Sequence, residues 1–436
     1  MTNCNKQRLL FPALNHKKIE AEFTGGDVSS DGGVLLLREV DRLLQLTPAL
    51  SAVIPDKRNP DLITHTQLSM LKQRIYGLAL GYEDLNDHHT LRKDPAFQTA
   101  IENDDALASS ATLCRLEKRA ERKVAFDMHR VFVEKFIGSF NSPPEELVLD
   151  FDATDDPVHG HQEGRFYHGY YREYCFLPLY VFCNDHLLVS YLRSANRDQA
   201  LHSWAILKLL VKRFRQVWPS VSIIFRGDGG FCRHKMFSWC ERHDIKYIVG
   251  LAKNSRLLKQ TDMLRKQSEK TYEETHKDQR LFGEIQYAAE TWSQPRRIIV
   301  KAEHTSNGAN PRFVVTNLPD APQDLYEHRY CERGNCENRI KEQFELFSDR
   351  TSCHKWWPNQ FRLLLSSAAY ILVSALRRNL LANTELATAQ CNTIRLKLFK
   401  IGTVIIRNTR RIRFLFSSSY PYQELFSKIV AQLCPG

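Results

Sequence analysis

The sequence predicts an α/β fold: a mixed sheet with helices on its faces, preceded by a helical N-terminal region and interrupted by a β-rich insertion. Three observations carry this. Apolar residues recur at helical spacing up to about residue 140. Beyond the proline loop 141-NSPPEE-146 the order becomes strand, strand, strand, helix, strand, helix, strand. A hairpin-linked triplet that gives way to alternation suggests a mixed sheet. Between 254 and 325 a charged, weakly periodic stretch leads into three alternating segments that read as an antiparallel unit.

In the N-terminal region, Ser30 and Asp31 stand where a cap is expected for a helix through 34-VLLLREVDRLLQL-46. A second periodic run is 67-QLSMLKQRIYGLAL-80. Then 109-SSATLCRLEKRAERK-123 predicts a strongly basic helix opened by Ser109 or Ser110. Its Arg115, Lys118 and Arg119 form either a surface lying against DNA or a solvated charged face. The sheet region opens with ELVLDFDAT, followed by CFLPLYVFC (175–183) and LLVSYLRS (187–194). A helix over 198–215 follows, then the strand SIIFRGD (222–228), a helix over 231–243 and the strand KYIVGLA (246–252). The three alternating segments are 282–292, 296–304 and 312–318; a helix at about 329–347 and an apolar helix after Pro358 resume the main pattern. The expected divisions are 1–140, 141–253, 254–325, 326–384 and 385–436.

Composition narrows the function classes. Lys and Arg number 61 against 50 Asp and Glu, a net charge of +11, which points to a polyanionic partner such as nucleic acid. The N-terminus shows no secretory signal, and the apolar stretch 361–381 is broken by Arg362, Arg377 and Arg378, so a buried helix is expected there and no membrane partner. Eleven scattered cysteines without CxxC pairs fit a reduced, cytoplasmic protein. Cys331, Cys336 and His328 lack a second ligand pair for structural zinc, and no GxxxxGK[ST] loop argues for ATP. Between Glu385 and Glu424 there are seven Lys or Arg and no acid, so the tail, with Arg410 and Arg411, is a second basic segment: phosphate contacts or an edge strand protected by charge.

The chemistry concentrates in three blocks. The stretch 147-LVLDFDATDD-156 holds four aspartates. Carboxylates are costly to bury unless they are paired or bind a metal. Asp152 lies towards the end of its strand; Asp150, two residues back, shares its side by alternation and is expected to be structural. Asp155 and Asp156 belong to the expected exit loop. Asp228 ends the fourth strand inside 226-RGDGGF-231. If the first and fourth strands are parallel neighbours, Asp152 and Asp228 meet at the crevice where such sheets bind ligands. In 330-YCERGNCENRIKEQ-343, Tyr330, Arg333, Glu337 and Lys341 line one face of a helix. Arg226 and Lys253 flank the strand ends, as phosphate contacts or plain surface charge.

These blocks, in this order, resemble insertion-sequence transposases of the DDE, ribonuclease-H-like superfamily. The stretch 149-LDFDATDDPVHGHQEGRFYHGYYREYCFLPLYVF-182 is similar to the insertion-sequence family numbered thirteen-eighty, and the likeness covers most of the chain, including 26–44 and 348–365. The resemblance implies a ribonuclease-H-like core and a catalytic triad of Asp152, Asp228 and Glu337. These acids would hold two Mg²⁺ ions, with Mn²⁺ as a substitute. It implies cleavage at transposon ends and transfer of the 3′-hydroxyl into target DNA, by a cut-and-paste type of mechanism. The implied partners are terminal inverted repeats, target DNA and a second copy of the chain, near the bacterial nucleoid. Tyr330, Arg333 and Lys341 would contact phosphates. Related transposases often carry Lys where this chain has Phe344, a departure from the pattern; Lys341, one helical turn after Glu337, is the residue expected to take its place. The alternatives are a metal-dependent nuclease without strand transfer and a non-catalytic DNA-binding descendant.

Overall fold

The computed structural model describes residues 8–435. It divides into two units, residues 8–117 with 372–435, and residues 118–371.

The larger unit is built on β1 (Glu146–Ala153), β2 (Leu179–Cys183), β3 (His186–Tyr191), β4 (Ser222–Gly227), β5 (Lys246–Leu251), β6 (Gln279–Tyr287), β7 (Arg296–Thr305) and β8 (Arg312–Thr316). The sheet order is β6-β7-β8-β5-β4-β1-β2-β3. β1, β4 and β5 run parallel; β2 pairs antiparallel with β1, and β3 antiparallel with β2, so β3 again runs in the direction of β1. The order β3-β2-β1-β4-β5 with an antiparallel second strand is the ribonuclease-H-like core expected from the sequence. The segment read as an insertion does not form a layer of its own: β8 pairs antiparallel with β5, and β7 and β6 continue the same sheet. Its charged lead-in folds as two helices, Ser255–Gln260 and Asp262–Thr275.

Side-chain alternation divides the parallel strands. Leu149, Phe151, Phe225 and Val249 enter a large apolar core with Phe136 of α1 (Arg122–Ile137), Phe214 of α2 (Ser203–Val217) and Phe237 of α3 (His234–Arg242). Burying a side chain such as Phe151 contributes about 2–3 kcal/mol. The opposite face places Val148, Ile224 and Ile248 against Leu325 and Tyr326. Those two residues lie on a helical segment that runs from Pro322 through a wide turn at Leu325–Tyr330 and a tight one at Cys331–Arg333 into α4 (Gly334–Glu345). Asp150 and Asp152 alternate with the core residues, so this second face receives them. The apolar helix α5 (Trp356–Leu380) meets β3 through buried polar groups: Gln360 accepts from Leu192 N at 2.7 Å, and the Ser190 and Ser367 hydroxyls are 2.7 Å apart.

Two sequence expectations shift locally. Pro178 divides the run 175–183, so Glu173–Phe176 joins a small three-stranded sheet with Phe166–His168 and Asp156–Pro157, and only Leu179–Cys183 enters the main sheet. Pro lacks the N–H that a continuous ladder needs. The basic helix expected over 109–123 ends at Lys118, and α1 begins at Arg122.

The smaller unit contains helices Val34–Leu44, Gln67–Leu80 and Pro95–Ile101, and a sheet of Val28–Ser29, Thr403–Asn408 and Arg411–Phe416. Thr66 caps Gln67–Leu80 by accepting from Ser69 N at 3.1 Å. Asp31 does not cap its helix; it is buried, accepts the Tyr82 hydroxyl at 2.6 Å and pairs with Lys400 at 2.7 Å. Leu9–Leu14 and Lys17–Ala21 form a separate exposed hairpin.

Candidate active site

Register brings the first two acids together. Asp150 pairs with Arg226 and Phe151 with Gly227 in the parallel β1–β4 ladder, so the next residues out are Asp152 and Asp228. Asp152 is 7 % exposed, and its Oδ1 accepts from Ala153 N at 2.8 Å. Asp228 opens the turn after β4 and accepts from Gly230 N at 2.9 Å. The third acid arrives on α4. Arg333, just before that helix, donates through Nη1 to Asp152 Oδ2 at 3.1 Å and through Nη2 to Glu337. One guanidinium thus ties the strand-end carboxylate to the helix carboxylate.

Tyr330 completes the cluster from the wide turn. Its approach depends on Gly250 near the end of β5: a Cβ there would lie 2.6 Å from the Tyr330 hydroxyl and 2.8 Å from Gly229 N. A side chain at 250 would therefore push the Tyr330 segment and the Asp228 turn apart. The glycines of 226-RGDGGF-231 are visible in the sequence as a turn, whereas nothing local marks Gly250.

Electrostatics show what the cluster lacks. Burial pushes the Asp152 carboxyl up to about 7, against the opposing pull of Arg333, with the negative charges of Asp228 and Glu337 adding to the rise. Burial works against the Arg333 charge, but Asp152 and Glu337 outweigh it and hold its pKa above the ordinary value. Burial raises the Tyr330 hydroxyl, opposed by Arg333 and reinforced by Asp228. Converging carboxylates in a half-dry site demand positive charge, and Arg333 supplies it here. Among the described residues, no three acidic, histidine or cysteine side chains form a group ready to clasp a metal ion. The donor set still fits hard divalent cations, which take carboxylate oxygens and keep several waters.

Asp150 has a different fate. It is 3 % exposed and forms a two-pronged ion pair with Arg226, whose Nη2 donates to Oδ2 at 2.8 Å. Arg226 is buried as well, and its remaining Nη1 donates to the Arg329 carbonyl and to Glu332. The sequence left Arg226 as a phosphate contact or plain surface charge; in the structure it is buried, with its donors directed to Asp150, the Arg329 carbonyl and Glu332. Asp156 was expected in a loop, yet it is buried, belongs to the small sheet and accepts the Thr351 hydroxyl at 2.7 Å. Burial pushes its carboxyl up to about 7.

Gln199 escaped sequence reasoning. Its Nε2 lies 3.4 and 3.3 Å from the two oxygens of Asp228. The loop carrying it is held by buried Arg193, which donates to the Leu201 carbonyl at 2.9 Å and also to that of Gln199, and by the Asp198–Arg233 pair at 2.7 Å. The loop matches no recognisable motif, so only the folded structure reveals the contact.

The sequence matches the family model described as transposase DDE domain, group 1, over residues 11–435. The chain belongs to this family of DDE transposases. Among solved structures it is similar to piggyBac transposase in a synaptic complex with hairpin DNA, at 11% identity, over 84% of this chain and 79% of that one, with a TM-score of 0.44. No curated protein matches it. The DDE transposase family generally uses divalent metal ions.

Lys341 is exposed on α4, and Lys253 is exposed just after β5. In the smaller unit Arg115 is exposed and donates to the Thr112 hydroxyl at 3.0 Å, and Arg410 and Arg411 are exposed where Thr403–Asn408 turns into Arg411–Phe416. Lys118 is exposed and Arg119 half-buried at the start of the larger unit. Trp292 packs on the core beside Phe237 and Tyr287. No helix among the described residues is long and apolar enough to cross a membrane.

Proposed function

We propose that this transposase cuts DNA at transposon ends and transfers the resulting 3′-hydroxyl into target DNA in a cut-and-paste reaction, with Asp152, Asp228 and Glu337 as its catalytic acids. The observation that carries the proposal is the single guanidinium of Arg333 bridging Asp152 and Glu337, with Asp228 next to Asp152 in register. Residues separated by nearly two hundred positions converge at the open end of parallel strands, where α/β sheets bind substrates.

In this reading the three carboxylates hold Mg²⁺ or Mn²⁺. Two such ions, when bound, activate an attacking oxygen and stabilise a leaving one in phosphodiester exchange. The chain's own residues do the rest. Gln199 steadies Asp228, and Gly250 lets Tyr330 approach. Arg333 exchanges its carboxylate partners for a DNA phosphate, with Lys341 and Lys253 adding positive charge at the rim. Arg115, Lys118, Arg119, Arg410 and Arg411 supply contacts to the DNA backbone. The chain acts as a homodimer on paired ends, and membership of the thirteen-eighty family is part of the same reading.

The test uses the terminal inverted repeats that flank the gene, incubated with Mg²⁺ and target DNA. Asp152→Asn, Asp228→Asn and Glu337→Gln should each lower cleavage by about a thousandfold or more while remaining folded. A folded variant with wild-type cleavage would remove that residue from the triad. Nicking without strand transfer would favour a plain nuclease.

A further inference from the structure

We propose that the finger formed by residues 156–176 is a stacking platform for unpaired bases of the DNA strand next to the site of cleavage. This rests on the reading of the chain as a DNA-cutting enzyme and adds what the enzyme grips.

The finger begins four residues after Asp152, directly beyond the strand end that carries this acid. Its strands Phe166–His168 and Glu173–Phe176 are short, and their outer face is aromatic and basic. Tyr167 and Tyr174 are a directly opposed cross-strand pair with ring centroids 5.6 Å apart, and Arg165 lies 4.4 Å over the Tyr174 ring. At the tip Tyr170 is 83 % exposed, set edge-on against Tyr171 at 5.0 Å, and Arg172 turns the chain in the left-handed region at φ 61. Exposed aromatic residues grouped in this number mark an interaction surface. A plain apolar patch for another protein would not interleave them with Arg165, Arg172 and His168, whereas a nucleotide strand offers a π-face for each ring and a phosphate for each guanidinium. The finger also carries acids: Glu173, opposite His168 in the strand register, and Glu163 at its base.

The base is fixed, as a platform requires. Gly164, at φ +83, faces the Trp356 ring so closely that a Cβ would lie 2.5 Å from it. Phe176 packs edge-on to the same ring at 5.5 Å. Glu163 N donates to the His354 carbonyl at 2.9 Å, and Asn359 donates to Gln162 at 2.9 Å. Tyr171 itself packs partly buried against the large core of the sheet.

The experiment compares fluorescence anisotropy of a labelled oligothymidine single strand and of a labelled mixed-sequence duplex, using the full chain. Tyr167→Ala, Tyr170→Ala and Tyr174→Ala should weaken single-strand binding about five- to a hundredfold each and leave duplex affinity within about twofold. Tyr170→Phe and Tyr174→Phe, which keep the ring, should bind as the wild type does. Tyr170 is nearly bare, so its alanine variant tests the idea without risk to the fold. Equal loss on both probes, no loss on either, or a wild type that ignores the single strand would each overturn the proposal. These outcomes separate from the cleavage assay. Wild-type cleavage with finger variants that bind and cut normally sinks the platform alone, whereas stacking without any cleavage sinks the catalytic reading and leaves the platform standing.

Discussion

Asp150 and Asp152 lie two residues apart on one strand, face the same side and are both nearly buried, yet each meets a different arginine. Asp150 is clasped by Arg226, its register partner on the neighbouring strand, and their side chains are 4 % and 6 % exposed. Asp152 is touched by Arg333, which reaches in from a helical segment, is 19 % exposed and divides its donors between two acids. A counter-charge mounted on the adjacent strand has no alternative position, so its carboxylate becomes part of the scaffold. A counter-charge on a separate helix, shared and partly open to solvent, can be exchanged for another cation. The two aspartates thus differ in where their arginine is attached: one on the adjacent strand, the other on a separate helical segment.

Several variants probe this contrast, beginning with the largest effect. Arg226→Ala should cost about 3–5 kcal/mol, because Asp150 would be left buried and unpaired. Arg333→Ala should cost only about 1 kcal/mol. Urea unfolding of both variants measures the gap, and equal losses would erase the distinction.

A third arginine extends the comparison to the smaller unit. Arg74 donates to Glu117 at 3.0 Å, and its Nη1 lies 3.2 Å from Nε2 of His88, which is wholly buried. Guanidinium only donates, so that nitrogen must stay unprotonated. Burial, with the Arg74 charge added, pushes His88 down to about 3. A group with a depressed histidine pKa stabilises the fold fully above its unfolded value near 6.5, and that contribution is lost as pH falls towards 3. At pH 5 the loss should be about 2 kcal/mol relative to pH 7, and it should vanish from the pH dependence of His88→Asn. Unchanged pH dependence in that variant would show that the Arg74 cluster is not locked.

A smaller effect is expected at Gln199. Gln199→Ala should weaken Mn²⁺ binding about tenfold, as losses of groups that orient metal ligands do, with little change in melting temperature without metal. Titration calorimetry with Mn²⁺ alone reads this directly, and unchanged affinity would reduce Gln199 to a loop residue.

Much of this was legible before folding. Asp152, Asp228 and Glu337 were readable because each stands at a recognisable juncture: two strand ends and one polar helix face. Alternation also placed Asp150 beside Asp152, but it could not choose between them. Its deeper position in the strand marked Asp150 as the structural acid, but its partner Arg226, 76 residues away, follows from a register that no local pattern encodes. The same limit left Arg226 open between a phosphate contact and plain surface charge. Gln199 and Gly250 were silent because their roles consist of touching something distant. The helix expected to begin near 329 starts instead at Pro322, because the wide turn at Leu325–Tyr330 breaks the 3.6-residue period that the eye follows.

The central claim is that Asp152 holds the cation and Asp150 holds the fold. The most direct measurement is the melting temperature of Asp152→Asn beside Asp150→Asn, each with and without Mn²⁺. Asp152→Asn should melt at or above the wild type without metal and lose the rise that Mn²⁺ produces. Asp150→Asn should melt lower and keep that rise. A full Mn²⁺-induced rise in Asp152→Asn, or its loss in a folded Asp150→Asn, would contradict the account.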